Sequence, residues 1–334
     1  MRSYLLLIAF YGICYACTPP ETTHHYIETV QGPLEVSEMG KTLIHEHLLV
    51  DFIGASDYHS ERWERSQVID RVLPFLQEIK DLGFTTLVEC TPEFLGRDPG
   101  LLQELSQRSG IQLLTNTGLY GAVDNKYLPE YAFTESADQL AARWIAESQE
   151  GIAGTGIKPG FIKISVNPGP LSPLHEKLVR AAAKTHQASG LLIVSHTGTA
   201  LAAFAQMDVL KEEGVPEDAF VWVHAQAEED KSRHVAAAKR GAWVSFDGIS
   251  EENLDQYLSY LLHMKQHDVL NRTLLSHDAG WYSPGEENGG SFRGFTTLSE
   301  RFIPLLLANG FSEMECEQLV IKNPANAFRL SSSR

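Results

Sequence analysis

A chain of 334 residues, 43% hydrophobic and 21% charged, is long and apolar enough to bury a sizeable core, and an α/β barrel would use that length as one domain. Its 43 Asp and Glu outnumber 27 Lys and Arg, for a formal charge of -16. No Lys/Arg cluster stands out, which argues against nucleic acid or another polyanion as partner, because phosphate contacts are made by grouped cations.

The chain opens on a targeting segment. Arg2 precedes an apolar run from Tyr4 to Ile13, and the small residues Ala16 and Cys17 follow. That run is shorter than the ~20 residues of a membrane-spanning helix, so residues 1–17 read as a cleaved export signal. Cys17 before Thr18-Pro19-Pro20 is similar to a bacterial lipoprotein site, with Cys14 and Tyr15 departing from its usual pattern. The expectation is an exported bacterial protein, periplasmic or membrane-anchored through a lipid on Cys17. Residues 18–25 read as a polar tether, and 26–334 as one continuous domain.

Within that domain short apolar runs at 42–44, 85–88, 112–115, 161–164, 191–194, 220–223, 242–246 and 273–275 predict eight strands. Segments 67–82, 174–189, 254–266, 295–309 and 313–321 carry apolar residues at helical spacing. Pro74 demands a kink or a later start in the first of these, and Gly190 is placed to end the second in a left-handed cap. Strands separated by helices favour a parallel sheet with right-handed crossovers. Eight such units predict an α/β fold, a single-domain (β/α)8 TIM barrel, with a doubly wound sheet as the competing architecture. Cys90 and Cys316 are too few for a disulfide framework and read as small buried hydrophobes.

The strand ends carry the chemistry. The first ends in His45-Glu46-His47, the fourth carries Lys163, the fifth ends at His196, the sixth at His224 and the eighth at Asp278. In a barrel the C-terminal strand ends meet at one face. Residues i and i+2 of a strand share a side, about 7 Å apart, so His45 and His47 can reach one cation through bonds near ~2.1 Å, while Glu46 turns to the helix layer. A protonated Lys163 beside cations would be repelled. Inside the barrel it must be neutral, distant, or converted to an anionic carbamate able to bridge two metals.

Several stretches together resemble the phosphotriesterase family of the amidohydrolase superfamily: Thr29 to Pro33, Met39 to Asp51, Thr91-Pro92, Gly96-Arg97-Asp98, Thr117 to Tyr120, Phe161 to Ile164, Ser195-His196-Thr197, Val223-His224, Ser276 to Asp278 and Asn323 to Ala325. The likeness runs from about His25 to the C-terminus. It implies one metal on His45, His47 and Asp278 and a second on His196 and His224, with N6-carboxylated Lys163 and a hydroxide bridging them. The cations it implies are Zn2+, with Mn2+, Co2+ or Fe2+ as alternatives. It further implies that Asp278 is catalytic, taking a proton and passing it to the leaving group, and that Tyr120 leans over the hydroxide. Trp281 and Tyr282 follow Asp278 and either line a substrate pocket or pack the lid. Arg97 and Asp98 read as a turn and helix start.

This sequence also departs from the pattern. Gly248 follows Asp247 where organophosphate hydrolases of the family have histidine and its lactonases arginine, and Ala227 replaces a relay carboxylate beside Glu228 and Glu229. Substrate specificity therefore does not carry over. The expected activity is hydrolysis of a small carboxylic ester, lactone or amide. The alternatives are phosphotriester hydrolysis and a non-catalytic, ligand-binding surface lipoprotein. Members of the family are often dimers, so a homodimer is the implied assembly.

Overall fold

Which face each strand residue takes decides the architecture. The computed structural model describes residues 23–333; the leader and Cys17 lie outside them. A hairpin of β1 (Thr23–Thr29) and β2 (Gly32–Glu35) comes first. The barrel follows: β3 (Lys41–Leu49), β4 (Phe84–Glu89), β5 (Gln112–Leu114), β6 (Asn116–Thr117), β7 (Phe161–Ser165), β8 (Leu192–His196), β9 (Phe220–Val223), β10 (Trp243–Phe246), β11 (Thr273–Leu275) and β12 (Gly280–Tyr282). A last strand, β13 (Leu330–Ser333), returns to pair with β1.

All barrel pairings are parallel, in two arcs ordered β11-β10-β9-β8-β7-β6 and β12-β3-β4-β5. β5 and β6 are one strand broken at Thr115. The other seam lies between β11 and β12, where Asp278 N–H donates to His45 O at 3.1 Å and His47 N–H to Ala279 O at 2.9 Å. The protein is a TIM barrel, as the eight apolar runs predict.

Helices α1 (Arg65–Asp81), α2 (Pro99–Ser109), α3 (Glu130–Thr134), α4 (Ala137–Glu150), α5 (Pro173–Ser189), α6 (Ala200–Glu212), α7 (Lys231–Arg240) and α8 (Leu254–Gln266) form the outer layer. α1 runs through Pro74 and starts at Arg65, earlier than expected. α5 begins with Ser172 accepting from His175 N–H and stops at Gly190, whose φ of 75° a Cβ would disfavour. Expected helix 295–309 is a π-helical turn Leu298–Phe302 leading into α9 (Ile303–Ala308). Segment 313–321 divides into α10 (Glu313–Glu317) and a second π-helical turn, before α11 (Asn323–Phe328).

Two apolar layers result. Inward residues Ile44, Val88, Leu114, Phe161, Val194, Val221, Val223 and Leu274 fill the barrel, and Ile27 and Phe328 close its lower end. Their neighbours Leu43, Leu87, Leu113, Ile162, Ile193, Trp222 and Val244 face the helices. Each fully buried side chain of this kind contributes roughly 1.5–3 kcal/mol. The free thiols of Cys90 and Cys316 are buried. The tether expected over 18–25 ends sooner, because His24 and His25 already belong to β1 and pair with Ser332 and Ser331. An antiparallel partner more than three hundred residues away leaves no local periodicity to read.

His234 of α7 is buried among Trp222, Phe246 and Tyr260 and lies 2.8 Å from Ala225 O. Burial pushes its imidazole down to about 4, against the opposing pull of that carbonyl. An unfolded chain protonates histidine near ~6.5, so stability is present above that pH and lost as pH falls towards 4. Relative to a His234→Gln variant, the wild type should lose up to about 3 kcal/mol over this window. Chemical denaturation at several pH values measures it, and parallel profiles for the two proteins would exclude the effect.

Candidate metal centre

The upper end of the barrel interior is polar because its last inward positions are histidine, lysine and carboxylate. Lys163 stands one inward step above Phe161, and His196 one above Val194. β3 reaches the same level through a register irregularity between Leu43 and Glu46, which lets Ile44 and His45 both face the interior. Glu46 then points outward, where Ser276 Oγ, His277 N–H and Ala279 N–H donate to it. His277 faces away from the cavity, its Nδ1 2.7 Å from Glu46.

For His224 alternation alone gives the wrong side. Val223 faces inward, so His224 as a continuing strand residue would face the helices; φ of 59° turns it back. Asp278 also has positive φ, 52°, and Trp281 has 74°. Such conformations cost of order 1–3 kcal/mol each and persist where the surroundings enforce them. Gly280 sits between them, and a Cβ there would lie 1.9 Å from His47 O.

The six candidate ligands converge on one cavity of about 120 Å³, which Val50, Phe52, Leu95, Tyr120 and Trp281 also line. Ligand atoms of His45, His47 and Asp278 lie within 4.8 Å of one another. Asp278 Oδ1 is 3.1 Å from His47 Nε2 and 3.8 Å from His45 Nε2. Lys163 Nζ is 3.3 Å from His45 Nε2. The His45 and His224 rings are 5.2 Å apart, those of His196 and His224 4.4 Å.

Burial, aided by Lys163, pushes His45 down to about 4 against the pull of Asp247. Burial and the neighbouring His224 and Lys163 hold His196 well below the usual histidine range. Burial would raise Asp278, but its hydrogen bond to His47 and the surrounding imidazoles keep it well below the carboxylate range. These are the protonation states that ligate a cation: neutral imidazole and ionised carboxylate.

Behind the cavity lies a shell that the sequence reading did not assign. Asp247 Oδ1 is 2.6 Å from His224 Nδ1, and Oδ2 is 3.3 Å from His45 Nδ1. Ser245 Oγ and Gln226 Nε2 also donate to it, at 2.7 and 3.1 Å. Burial opposes its charge, yet these imidazoles hold it well below the carboxylate range. His47 Nδ1 lies 2.8 Å from Thr91 Oγ1, which donates to Glu89 at 2.5 Å. The sequence signals for this shell are weak: Asp247 is two residues beyond the inward Ser245, and Thr91 stands in the family-like Thr91-Pro92 with no role read for it.

Tyr120 OH is 2.9 Å from His196 Nδ1. Trp281 forms part of the cavity wall. Tyr282, the adjacent residue of β12, is turned the opposite way into the outer apolar layer, so of the two aromatics expected to line a pocket it lies outside the cavity. Asp98 caps α2 by accepting from Leu101 N–H, and Arg97 pairs with Glu147 at 2.7 Å. Both are structural, as read.

The model of the phosphotriesterase family matches residues 25–328. This chain belongs to that family. It is 30% identical over 297 residues to the phosphotriesterase homology protein of Escherichia coli, covering 87% of this chain and 98% of that one. It is 26% identical over 340 aligned positions to the N-acetyltaurine hydrolase of Rattus norvegicus, covering 89% and 96%. The solved organophosphorus hydrolase from Deinococcus radiodurans superposes with a TM-score of 0.82 at 24% identity, over 94% of this chain and all of that one, and shows the shared fold. Phosphotriesterase-family proteins are binuclear metal-dependent hydrolases of small molecules. The residues here fit two cations: four imidazoles, one carboxylate and a buried lysine face one cavity, three of the imidazoles have a hydrogen-bond partner on Nδ1, and Nδ1 of the fourth, His45, faces the Asp247 carboxylate at 3.3 Å.

Because one carboxylate orients His45 and His224, Asp247→Asn should weaken metal binding about 10–100-fold. Metal content after dialysis against buffered divalent metal measures this. Wild-type affinity at both positions would rule out the orienting role.

Proposed function

We propose that this phosphotriesterase-family protein hydrolyses a small carboxylic ester, lactone or amide. The observation that carries the reading is a small cavity with apolar and aromatic walls, floored by six convergent metal-ligand side chains. Two divalent cations held by those residues would acidify water and polarise the scissile carbonyl.

The remaining steps belong to the chain. His45, His47 and Asp278 would hold one cation and His196 and His224 the other. Lys163 is 1% exposed with no carboxylate in ion-pair distance among the described residues. As a carbamate it would bridge both cations. Carbon-13 NMR of protein loaded with labelled bicarbonate tests this, through a carbamate signal that Lys163→Ala lacks. Asp278 would receive the proton released on attack and return it to the leaving group. If His196 binds through Nε2, its Nδ1 carries the proton and donates to the Tyr120 oxygen. That leaves the phenol O–H, which burial and Asp278 keep protonated, free to donate to a substrate oxygen.

The position after Asp247 fits neither the histidine of the family's organophosphate hydrolases nor the arginine of its lactonases. A Cβ on Gly248 would lie 2.6 Å from the Tyr257 hydroxyl and 3.1 Å from Gln226 Nε2. The space a relay histidine would need is filled. The name of the rat relative, an N-acetyltaurine hydrolase, points to amide cleavage in the same family. The proposal keeps residues 1–17 as an export signal, Cys17 as a lipid-attachment residue and a bacterial cell-envelope location, with the homodimer as assembly.

Asp278→Asn should lower kcat by about 10²–10⁴-fold with its thermal unfolding midpoint unchanged. A screen of lactones, aryl esters, N-acyl amides and phosphotriesters on the metal-loaded protein supplies the assay. Full activity in the variant would refute the proton role, and phosphotriesters alone being cleaved would refute the acyl reading.

A further inference from the structure

The cavity opens between aromatic rings, and cations stand on both sides of the opening. Phe52 lines the cavity yet is 44% exposed, so it marks the mouth. Its ring centroid is 5.6 Å from that of Trp281 and 6.4 Å from that of Tyr127. On one side the Arg293 guanidinium lies 4.6 Å from the Trp281 centroid and donates to the backbone carbonyl of Asp278. On the other, Lys126 Nζ is 5.4 Å from the Tyr127 centroid and donates to Phe52 O at 2.7 Å.

Both cations are exposed, and their polar partners among the described residues are carbonyls, not carboxylates. Asp51, next to Phe52 in the chain, is already bound by Arg62. Arginine has five N–H donors and lysine three, so each keeps donors free for a further acceptor.

The fold accepts strain to place Lys126. Val123, Asp124 and Asn125 precede it with φ of 56°, 53° and 64°, a left-handed conformation that Asp and Asn tolerate and that is costly for the β-branched Val123. Buried His175 pins this turn, its Nε2 lying 2.9 Å from Gly121 O and 3.0 Å from Asn125 Oδ1. Ala55 N–H holds the other end by donating to Lys126 O at 3.0 Å.

We propose that Arg293 and Lys126 form an anion-recognising rim, and that the preferred substrate carries a carboxylate or sulfonate on the part that stays outside the cavity. This rests on the hydrolytic reading above and narrows its substrate class. The acyl group enters the small cavity, and the leaving group holds its charge between the two cations. In a chain with 43 acidic and 27 basic residues, such an anion is attracted locally against an unfavourable overall field.

Calorimetry on the metal-loaded protein, with benzylsulfonate and its neutral counterpart benzyl methyl sulfone, tests the rim without requiring turnover. The sulfonate should bind about tenfold more tightly at low salt, with the advantage shrinking as ionic strength rises. The Arg293→Gln/Lys126→Gln double variant should bring the two ligands within about twofold, and Arg293→Lys should retain most of the preference. Arg293 also holds the Asp278 carbonyl, so Lys126→Gln alone, remote from Asp278, is the control. It should lower sulfonate affinity more than sulfone affinity. Equal binding of the two ligands by wild type, or a preference that survives in the double variant, overturns the rim. The acetate esters of hydroxybenzylsulfonate and hydroxybenzyl methyl sulfone separate the two hypotheses. If neither ester is cleaved while the rim-dependent preference persists, the ester reading fails and the rim stands.

Discussion

Asp247 sits where water does not reach, between a histidine of β3 and another that follows β9, and its two oxygens face one imidazole each. A buried carboxylate is costly unless fully hydrogen-bonded, and here Ser245 and Gln226 supply the remaining donors. The contact fixes which imidazole nitrogen is left for a cation on two widely separated strands at once. It also makes the two halves of the centre interdependent, since displacing this carboxylate would release a candidate ligand of each metal. Thr91 and Glu89 do the same for His47, and Tyr120 for His196. The candidate ligands are thus held by a ring of side chains from other strands rather than by their own backbone alone.

The backbone meets this arrangement with local strain. His224, Asp278 and Trp281 all take left-handed conformations at the ends of their strands. Regular strands would deliver alternate residues to the interior and stop there. The left-handed turns bring additional side chains inward just above the apolar filling of the barrel. Phe161, Val194, Val223 and Leu274 below provide the rigid floor on which those turns are built. Stability is spent at the upper face and recovered in the layers beneath it, the usual division in this architecture.

Specificity is built from different material. The cavity walls come from three loops and one short strand: Phe52 after β3, Leu95 after β4, Tyr120 after β6 and Trp281 in β12. Gly248 marks a position beside the centre where space is short. With the Tyr257 hydroxyl packed where its Cβ would project, no larger residue fits there without rearrangement. The charged rim proposed above stands outside those walls, beyond the metal-ligand floor.

Much of this was legible in the residues themselves. Apolar runs separated by amphipathic segments have only a few packing solutions, so eight strands could be read from periodicity and their number favoured a barrel over a doubly wound sheet, and strand-end histidines could be seen to converge once the barrel was assumed. The His45-x-His47 pair and Lys163 obey strand alternation, which is a local property. Other features are set by contacts remote in sequence and had no local signature: the β1–β13 pairing that took His24 and His25 out of the expected tether, and the inward turn of His224. Asp247 as the common anchor of two imidazoles belongs with these, as does the placement of Lys126 and Arg293 on either side of one opening. Sequence determined which side chains were available and on which strands. Tertiary structure decided their direction, because a backbone reversal at a strand end is paid for by packing that only the closed barrel supplies.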